Sequence, residues 1–442
     1  MRLSRGLALV VWLGSSAVIS STASGTRFSL PGVAYASNCA PLADSSSDQT
    51  ASSGFGTFAN MEKSFTHARA VEGCNTPLDL TANQSISEAT WNGYSPQQQV
   101  FVLYNAERQD RGVSLLKLDT TLMSEIDFNH SHEMNQYGYF AHPSPIDNPF
   151  NQPGDTFGRL TVNQAIANSC CNLGENIAGN SSAAAAVFEF MYDDSSNGWD
   201  HRHSILGYTG GNGFGQFNWV GVGVSPSSAF GLFFTTDFLQ SSSYSPPAAT
   251  DTLAPTMSSP TTSGSPGGTV TASATNVVDS GASTGAKGLS GVRFYAGSPL
   301  DSYGNSTTVL GTQNGTTWTA SLNQPAGTAV HAVAVDGSGN YTDCTVGGSC
   351  VSSLSSGGPT AARVTHLAVS RHGAQTVFRW SVAPNHQITG FNLYAGRQRL
   401  NAHLIPSMQR TSFRYSTRWS GAGVFNLEVV MSNGEVVRVA AR

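Results

Sequence analysis

The amino-acid sequence predicts an α+β domain followed by two all-β sandwich domains. Helical periodicity precedes strand-like runs between residues 95 and 240, which favours helices layered on a sheet. A Pro/Ser/Thr-rich segment, 241–268, then interrupts the pattern and is predicted to be a flexible linker. Short alternating strands with turn signals occupy 269–358 and 359–442. With 442 residues, the chain is also too long for one hydrophobic core.

The N-terminus has the pattern of a secretory signal peptide, with an uncut N-terminal anchor as the alternative. Arg2 and Arg5 form a basic start, and the following "GLALVVWLGSSAVI" is apolar but short for a membrane span. Small residues place the cleavage after Ala23 or after Ala36. We therefore expect residues 1–23 to be removed, the protein to be secreted, and no transmembrane segment to remain.

Residues 24–94 are rich in serine and threonine and show weak periodicity, so no regular structure is predicted for them. The first predicted helix follows at once, because Ser95 is a suitable N-cap and Pro96 suits the first helical position. Gly112 ends this helix.

Two more helices and two strands complete the first domain. Asp119 is predicted to cap the second helix, and Gly138 to end it. An alanine-rich third helix begins near Ser181. The runs "WVGVGVS" and "FGLFFTTDFL" then read as strands, the first of them with alternating valines.

The two C-terminal segments read as sandwiches of short strands. The first contains "SGVRFYAG", "TTWTASL" and "GTAVHAVAVDGSGNYTD", with a turn signal at Asp336-Gly337, and it resembles bacterial immunoglobulin-like modules. The second contains "TVFRWSV", "ITGFNLYAG" and "FNLEVVMSNGEVVRVA", with a hairpin signal at Asn433-Gly434. It resembles a fibronectin type III domain.

Six cysteines in an exported chain are expected to be oxidised. Their order along the chain suggests that Cys39 pairs with Cys74, and Cys344 with Cys350. The adjacent cysteines 170 and 171 remain. They either bridge each other, stay as free thiols or bind a metal.

Charge is sparse and unevenly distributed. Only 11% of the residues are charged, against about 25% in an average soluble protein, which suits an exported chain. From Pro359 to the end there are ten arginines, no lysine and two acids, whereas the rest of the chain has 12 basic and 25 acidic residues. The C-terminal domain is therefore expected either to bind an anionic cell-surface polymer, and no nucleic acid, or to use its arginines only for solubility.

The stretch "HSHEMNQYGYFAH" contains three histidines and a glutamate. A zinc-peptidase helix has the pattern H-E-x-x-H, but Gln136 stands where the second histidine is required. His130 shares a helix face with Ile126 and Met134, so we expect it to be packed and hydrogen-bonded. His132 points elsewhere and is expected to be exposed to solvent.

Eight short motifs follow one another in a specific order. They are "LYNAERQDRG", "LDTTL", "HSHEM", "GYFAHPSP", "FGRL", "GENIAGN", "HRHSIL" and "VGVGVS". The series resembles the CAP superfamily (cysteine-rich secretory proteins, antigen 5 and pathogenesis-related proteins of class 1), or SCP domain, in its bacterial form. The resemblance covers roughly residues 95–239, about a third of the chain.

The resemblance implies an α-β-α sandwich with an open cleft lined by two histidines and two acids. Carried over to this chain, the histidines are His142 of "GYFAH" and His201 of "HRHSIL", and one acid is Glu175 of "GEN". The second acid is implied to be Asp193, with Asp194 as the neighbouring alternative, although this chain lacks the tryptophan that precedes that acid in the family.

Such a group of side chains favours metal chemistry. Two neutral imidazoles hold a borderline ion such as zinc, and carboxylates complete its coordination or orient the rings. His142 and His201 are the predicted ligands, and Glu175 and Asp193 are possible ligands, ring partners or catalytic groups. Glu175 could instead accept backbone hydrogen bonds, and His203 could simply end a helix.

Two classes of function fit these residues. The first is a secreted CAP-domain protein that binds a divalent metal and a small ligand, such as a lipid, peptide or glycan, with the β-domains for spacing or surface attachment. The alternative is a metal-assisted hydrolase acting on peptides or cell-wall polymer. The chain has no G-x-S-x-G nucleophile motif, so the sequence leaves open whether it is an enzyme.

Overall fold

The structure is a computed structural model that describes most residues between 39 and 440. The described residues are 39, 44, 47–147, 157–169, 172–207, 217–247, 251–279, 288–352, 364–372, 375–382, 388–396, 398–401, 404–407, 412–419, 424–431 and 436–440. The predicted signal peptide, the cysteines 170 and 171 and the hairpin signal at 433–434 lie outside them.

The N-terminal body, residues 47–247, combines helices with a mixed sheet. Its helices are α1 (Phe58–Val71), α2 (Leu80–Gln84), α3 (Glu88–Trp91), α4 (Pro96–Asp110), α5 (Leu122–Tyr137), α6 (Gly158–Thr161), α7 (Gln164–Ala167), α8 (Ala183–Tyr192) and α9 (Asp200–Leu206), with a 3-10 turn at Ser195–Asn197. Its strands are β1 (Lys117–Leu118), β2 (Asn172–Asn180), β3 (Trp219–Val220), β4 (Gly223–Ser227) and β5 (Gly231–Gln240).

Strand β5 organises the sheet of the N-terminal body. It pairs antiparallel with β2, β3 and β4, and β1 joins β3 in parallel. On one face of the sheet, α1, α4 and α8 share the core with residues such as Phe101, Val222 and Phe234. On the other face, α5, α6 and α7 pack around Met123 and Leu160. The body is therefore a three-layer helix-sheet-helix arrangement, which agrees with the predicted α+β class.

Alternate residues of the stretch "VGVGV" point to opposite faces of the sheet and so to different helix layers. Its valines point into the core shared with α1, α4 and α8. Gly221 and Gly223 face α5 instead, and a Cβ atom on Gly223 would lie 2.0 Å from the carbonyl carbon of Asp127 and the backbone nitrogen of Phe128. Because only glycine lacks a Cβ atom, only glycine lets the helix backbone lie directly on this strand.

Helices α4 and α5 begin and end close to the predicted signals. The side chain of Ser95 accepts a hydrogen bond from the backbone of Gln98, whose own side chain bonds back to the backbone of Ser95. Helix α5 ends at Gly138, which has a left-handed conformation. Its N-cap is Thr121 and not the predicted Asp119, although the Asp119 carboxylate accepts hydrogen bonds from backbone N–H groups of the first turn.

Three helices lie within the segment 24–94, for which the sequence predicts no regular structure. Helix α1 is capped by Thr57, and the ring of Phe65 packs edge to face on Phe188 of α8, with centroids 5.4 Å apart. The weak periodicity of α1 conceals this helix because its stability depends on packing against the rest of the body. A structural unit starting at residue 95 would therefore lack part of the core.

The second body, residues 251–352, is a β-sandwich. Its strands are β6 (Thr261–Ser263), β7 (Thr269–Ala274), β8 (Leu289–Ala296), β9 (Val309–Leu310), β10 (Thr312–Asn314), β11 (Thr317–Asn323), β12 (Val330–Asp336), β13 (Tyr341–Thr345) and β14 (Cys350–Ser352). They form two sheets, β10-β11-β7-β6 and β14-β13-β12-β8-β9. Side chains from both sheets, including Val270, Phe294 and Trp318, meet in one core.

Much of the predicted flexible linker, 241–268, is folded. The Tyr244 hydroxyl donates a 2.6 Å hydrogen bond to the carboxylate of Asp119, which ties the start of the segment to the N-terminal body. Further on, Thr256 pairs with Val278 and strand β6 pairs with β7. These contacts are mostly backbone hydrogen bonds to an existing strand, which a polar composition does not reveal.

The third body, residues 364–440, is a second β-sandwich. Its strands are β15 (Val364–His372), β16 (Gln375–Val382), β17 (Ile388–Ala395), β18 (Gln398–Arg399), β19 (Ile405–Pro406), β20 (Ser412–Arg418), β21 (Phe425–Met431) and β22 (Val436–Ala440). One sheet is β15-β16-β20, and the other is β18-β17-β21-β22 with β19 beside β17. Trp380, Phe391 and Leu427 lie in the core between them.

The second body is in direct contact with helix α5. The side-chain amide of Asn129 donates a 2.9 Å hydrogen bond to the carbonyl oxygen of Ser338, in the turn between β12 and β13. The Tyr137 hydroxyl donates to the carboxylate of Asp343, also at 2.9 Å. The second body therefore packs on the N-terminal body in addition to being joined to it by the chain.

Two predicted disulfides are confirmed, Cys39–Cys74 and Cys344–Cys350. Such bonds persist in oxidising compartments, which is consistent with secretion. None of the helices in the described part of the chain is long and apolar enough to cross a membrane.

The approach of α5 to the sheet makes a testable prediction. Replacing Gly223 with alanine should lower the free energy of unfolding by at least about 3 kcal/mol, since the new methyl group overlaps the α5 backbone. Gly56→Ala is the control, because that glycine has open space around its Cα, and its effect should stay within about 0.5 kcal/mol. Urea unfolding of both variants measures the difference, and equal stabilities would contradict the packing described here.

Candidate functional site

His142 lies in the loop after α5 and is held by a buried acid. Its Nδ1 atom is 2.7 Å from Oε1 of Glu175, which lies on the inner part of β2. The guanidinium of Arg159, on α6, forms an ion pair with the other carboxylate oxygen of Glu175. Arg159 also donates a 2.9 Å hydrogen bond to the carbonyl oxygen of His142. The loop, the strand and the short helix are thus joined at one carboxylate.

His201 is held in the same way by a different acid. Its Nδ1 atom is 2.7 Å from Oδ1 of Asp194, and its backbone N–H donates to Oδ2 of the same carboxylate at 3.0 Å. The side-chain amide of Asn176, next to Glu175 on β2, donates to the carbonyl oxygen of His201 at 3.0 Å. Strand β2 therefore carries a partner of each histidine.

The acid beside His201 is Asp194. The family resemblance favours its neighbour Asp193 instead. Helix α8 ends at Tyr192, and Asp193 is its C-cap with an exposed side chain. The chain then turns, so that Asp194 is buried beside the first turn of α9. The sequence cannot separate two adjacent aspartates, because the turn after the helix decides which one points inward.

The two histidine rings face one another, and the space between them is called the cleft. Their centroids are 6.3 Å apart with the planes 30° from parallel, and the ring of Phe190 lies 5.0 Å from that of His201. The side chains of His142 and His201 are 38% and 18% exposed, whereas their partner acids are buried. Since the carboxylates occupy Nδ1 of each ring, Nε2 is the nitrogen available to a metal or ligand.

The surroundings of His142 favour the neutral ring. Burial is the largest cause, and the nearby charges of His201, Arg159 and His130 add to it, so that the pKa of His142 is lowered to about 4. A neutral imidazole at neutral pH is the form that coordinates a metal.

The opening part of "HSHEMNQYGYFAH" supports the loop that carries His142. Oε1 of Glu133 accepts hydrogen bonds from the hydroxyls of Tyr139 and Ser144, at 2.9 and 2.6 Å. Burial raises the pKa of Glu133 to about 7. Nε2 of His130 lies 3.1 Å from the carbonyl oxygen of Ala141, and His130 is buried as predicted. Both residues of α5 therefore act on the loop rather than in the cleft.

The prediction that His132 is exposed is wrong. Its ring lies between those of Phe128 and Tyr341, at centroid distances of 6.2 Å from each. Tyr341 belongs to the second body, so this histidine is buried by a contact that helix periodicity does not show.

His203 lies near the end of α9, and its Nε2 atom is 2.7 Å from Oδ1 of Asp44, away from the cleft pairs.

Aromatic side chains form an exposed apolar surface close to His142 in the chain. Phe140, two residues before His142, packs on Phe230 and Phe233 with centroids 6.0 and 5.8 Å apart. Phe140 and Phe230 are both about half exposed, whereas Phe233 is buried. The aromatic surface, defined by Phe140 and Phe230, is suited to the apolar part of a ligand.

The comparisons with known proteins do not identify a family. No protein-family model matches the chain, and no curated protein matches it. Among solved structures, the full ectodomain (Ig1–Ig3) of mouse nectin-like molecule 4 is similar over 50% of this chain and 79% of that chain, with 14% identity and a TM-score of 0.14. A TM-score this low does not establish a shared fold. What the chain itself defines is a helix-sheet-helix body with a cleft of two histidine–acid pairs, followed by two β-sandwiches.

The position of Arg159 makes a prediction about His142. Replacing Arg159 with glutamine should raise the pKa of His142 from about 4 towards the ordinary value near 6.5, because a nearby positive charge that opposes protonation is lost. An NMR titration of the His142 ring protons measures the change. Arg414→Gln, on an exposed strand of the third body, is the control and should leave the titration unchanged. An unaltered pKa in the Arg159 variant would show that burial alone sets it.

Proposed function

We propose that the chain is a secreted protein of the CAP (SCP) type whose cleft binds a divalent transition metal, zinc first of all, through Nε2 of His142 and His201. The observation that carries this proposal is the pairing of each ring, through Nδ1, with a buried carboxylate. Carboxylate–histidine pairs of this kind fix the tautomer and orientation of metal-binding rings in proteins.

The chemistry of the residues fits such an ion. Zinc prefers nitrogen and carboxylate ligands, and the lowered pKa of His142 keeps its ring neutral at physiological pH. His142 and His201 would hold the metal, and Glu175 and Asp194 would orient them. A bound zinc ion supplies a Lewis-acidic position that a polar ligand group can occupy.

Binding is supported better than bond cleavage. A general base needs a carboxylate that is available to a proton on the substrate or water. Glu175 is instead held by His142 and Arg159, and Asp194 is held by the ring and backbone of His201. Both acids therefore serve as positioning groups. The metal-assisted hydrolase has no equivalent observation in its favour.

The aromatic surface indicates the kind of ligand. Phe140 and Phe230 offer exposed ring surface, which packs against an acyl chain, an apolar peptide side chain or a sugar ring. We propose a small ligand of the lipid, peptide or glycan class, with a polar group at the metal and an apolar part on these rings.

The metal proposal is tested by calorimetric titration of zinc into the full chain, because the core of the N-terminal body extends beyond residues 95–239. The double variant His142→Ala, His201→Ala should bind zinc at least about 100-fold more weakly than the unaltered protein, since two nitrogen ligands are lost.

His67→Ala is the matched control, because His67 is exposed on α1, and it should retain the full affinity. Unchanged zinc binding in the double variant would sink the proposal.

We further propose that the third body attaches the protein to an anionic polymer. The outer face of the sheet β15-β16-β20 carries His366, Arg379, Arg414 and Arg418, all exposed. Among its described residues this face has no acid. In the ladder, Arg379 lies directly opposite Arg414. Like charges in that arrangement repel, and a bound polyanion would relieve the repulsion.

The attachment proposal predicts a strong effect of three arginines. The combined variant Arg379→Ser, Arg414→Ser, Arg418→Ser should elute from phosphocellulose at clearly lower salt than the unaltered protein, because three charges that bind the anionic resin are lost. Salt releases the protein because it screens exposed charges beyond about 8 Å at physiological ionic strength. Arg438→Ser is the control, since the Arg438 guanidinium is already paired with Glu428 at 2.7 Å. A loss for Arg438→Ser of about one third of that of the combined variant would show that net charge, and not this face, is responsible, because the control removes one charge instead of three.

A further inference from the structure

Three aspartates from distant parts of the second body meet at its boundary with the N-terminal body. They are Asp251, before β6; Asp279, after β7; and Asp336, at the end of β12. One carboxylate oxygen from each lies within 4.8 Å of the other two. Asp251 and Asp336 are buried, and Asp279 is partly exposed. None of the three aspartates belongs to the two histidine–acid pairs.

Helix α5 of the N-terminal body carries a further buried acid. Glu125, on its first turn, is only 8% exposed, and its Oε1 atom has no hydrogen-bond partner among the described residues. Burial, and then the charges of Asp336 and Asp251, raise the pKa of Glu125 well above its ordinary value. Oδ2 of Asp251, a residue only 2% exposed, likewise has no partner there.

Buried carboxylates are costly unless a cation or hydrogen bonds compensate them. Within the described residues, no arginine or lysine forms an ion pair with Glu125, Asp251 or Asp336. Asp336 accepts hydrogen bonds from the backbone N–H groups of Ser338 and Asn340, so it also shapes the turn between β12 and β13. Asp251 accepts one from the backbone N–H of Leu253 through Oδ1, so its Oδ2 atom is the one left without a partner among the described residues.

The spacing and the ligand type select a class of ion. Oxygen ligands lie about 2.3–2.6 Å from calcium, so two oxygens on one calcium ion are at most about 5 Å apart. The 4.8 Å limit for the three aspartates meets this condition. A group made only of carboxylate oxygens suits a hard cation and not zinc. An irregular group from separate chain segments suits calcium better than magnesium, which requires near-ideal octahedral geometry.

We propose that Asp251, Asp279 and Asp336 bind one calcium ion, at the side of the second body that contacts helix α5. The turn that contains Asp336 already contacts α5, because Asn129 bonds to Ser338 and Asn340 at 2.9 and 3.2 Å. The ion would therefore stabilise the contact between the two bodies. This proposal is independent of metal binding in the histidine cleft.

The test is calcium titration of the full chain after treatment with EDTA, followed by calorimetry and by thermal melting. The unaltered protein should bind about one equivalent and melt at a higher temperature in millimolar calcium, since a ligand that binds the folded state stabilises it. Magnesium should bind at least tenfold more weakly. Absence of both the heat and the melting shift, or tighter binding of magnesium, would overturn the assignment.

Variants separate a calcium site from a merely structural group of acids. In Asp251→Asn and Asp279→Asn, calcium affinity should fall at least tenfold. In EDTA, however, these variants should melt at or above the temperature of the unaltered protein, because a repelling charge has been removed. A calcium response that persists in the double variant would refute the site. Asp301→Asn, at an exposed turn of the same body, is the control and should respond to calcium normally.

Glu125→Gln tests the effect of the neighbouring buried acid. Calcium affinity should fall by less than in the aspartate variants, because a negative charge is lost but no ligand is removed. A loss as large as theirs would overturn the assignment of the site to the three aspartates. His142→Ala should retain the whole calcium response, so failure of the zinc proposal and failure of the calcium proposal give different results.

Discussion

The direct contact of helix α5 with the glycine face of the sheet is the constraint on which the rest of the structure depends. Because Gly221 and Gly223 have no side chains, the α5 backbone lies against the sheet at van der Waals distance. The remaining faces of the helix are then free for other tasks. Glu133 holds the loop of His142, Asn129 holds the turn of the second body, and Glu125 is buried where the charge of Asp336 raises its pKa. A shift of this one helix would disturb all three.

The cleft shows how buried charge is used to position exposed groups. Two carboxylates are removed from solvent, and each is compensated by several donors, so that neither can move without leaving a charge unpaired. The histidine side chains that they hold remain partly exposed, by 38% and 18%. Arg159 has the central place, because it pairs with Glu175 and lowers the pKa of His142 at the same time. The two rings are therefore held in place by the buried residues behind them.

The second body packs on helix α5 and so contributes to the packing of the N-terminal body. His132 and Tyr137 of α5 pack against Tyr341, and apolar residues such as Ile146 and Val335 extend the contact. The β-sandwich of the second body covers side chains of α5 that would otherwise be exposed to solvent. The loop of His142 lies between the sheet and this contact, so the stability of the contact bears on the geometry of the cleft.

Much of the local structure could be predicted from the sequence, because it depends on neighbouring residues. The capping signals at Ser95 and Gly138, the alternation in "VGVGV" and the strand runs follow from backbone preferences and periodicity, and they define the α+β body and the β-rich remainder. The two disulfides followed from cysteine order in the same way. His142, His201 and Glu175 came from ordered motifs, and the structure brings these three together.

Only the tertiary structure decided the features that depend on contacts between distant segments. The choice of Asp194 over Asp193 depends on the turn after α8, and the burial of His132 on a ring from the second body. The helices of residues 58–91 are stable through packing that weak periodicity conceals. The part played by Arg159 follows from an ion pair to a strand. The sequence by itself determined which segments form helices and strands, because those preferences are local; which side chains meet was decided by how the layers and bodies pack.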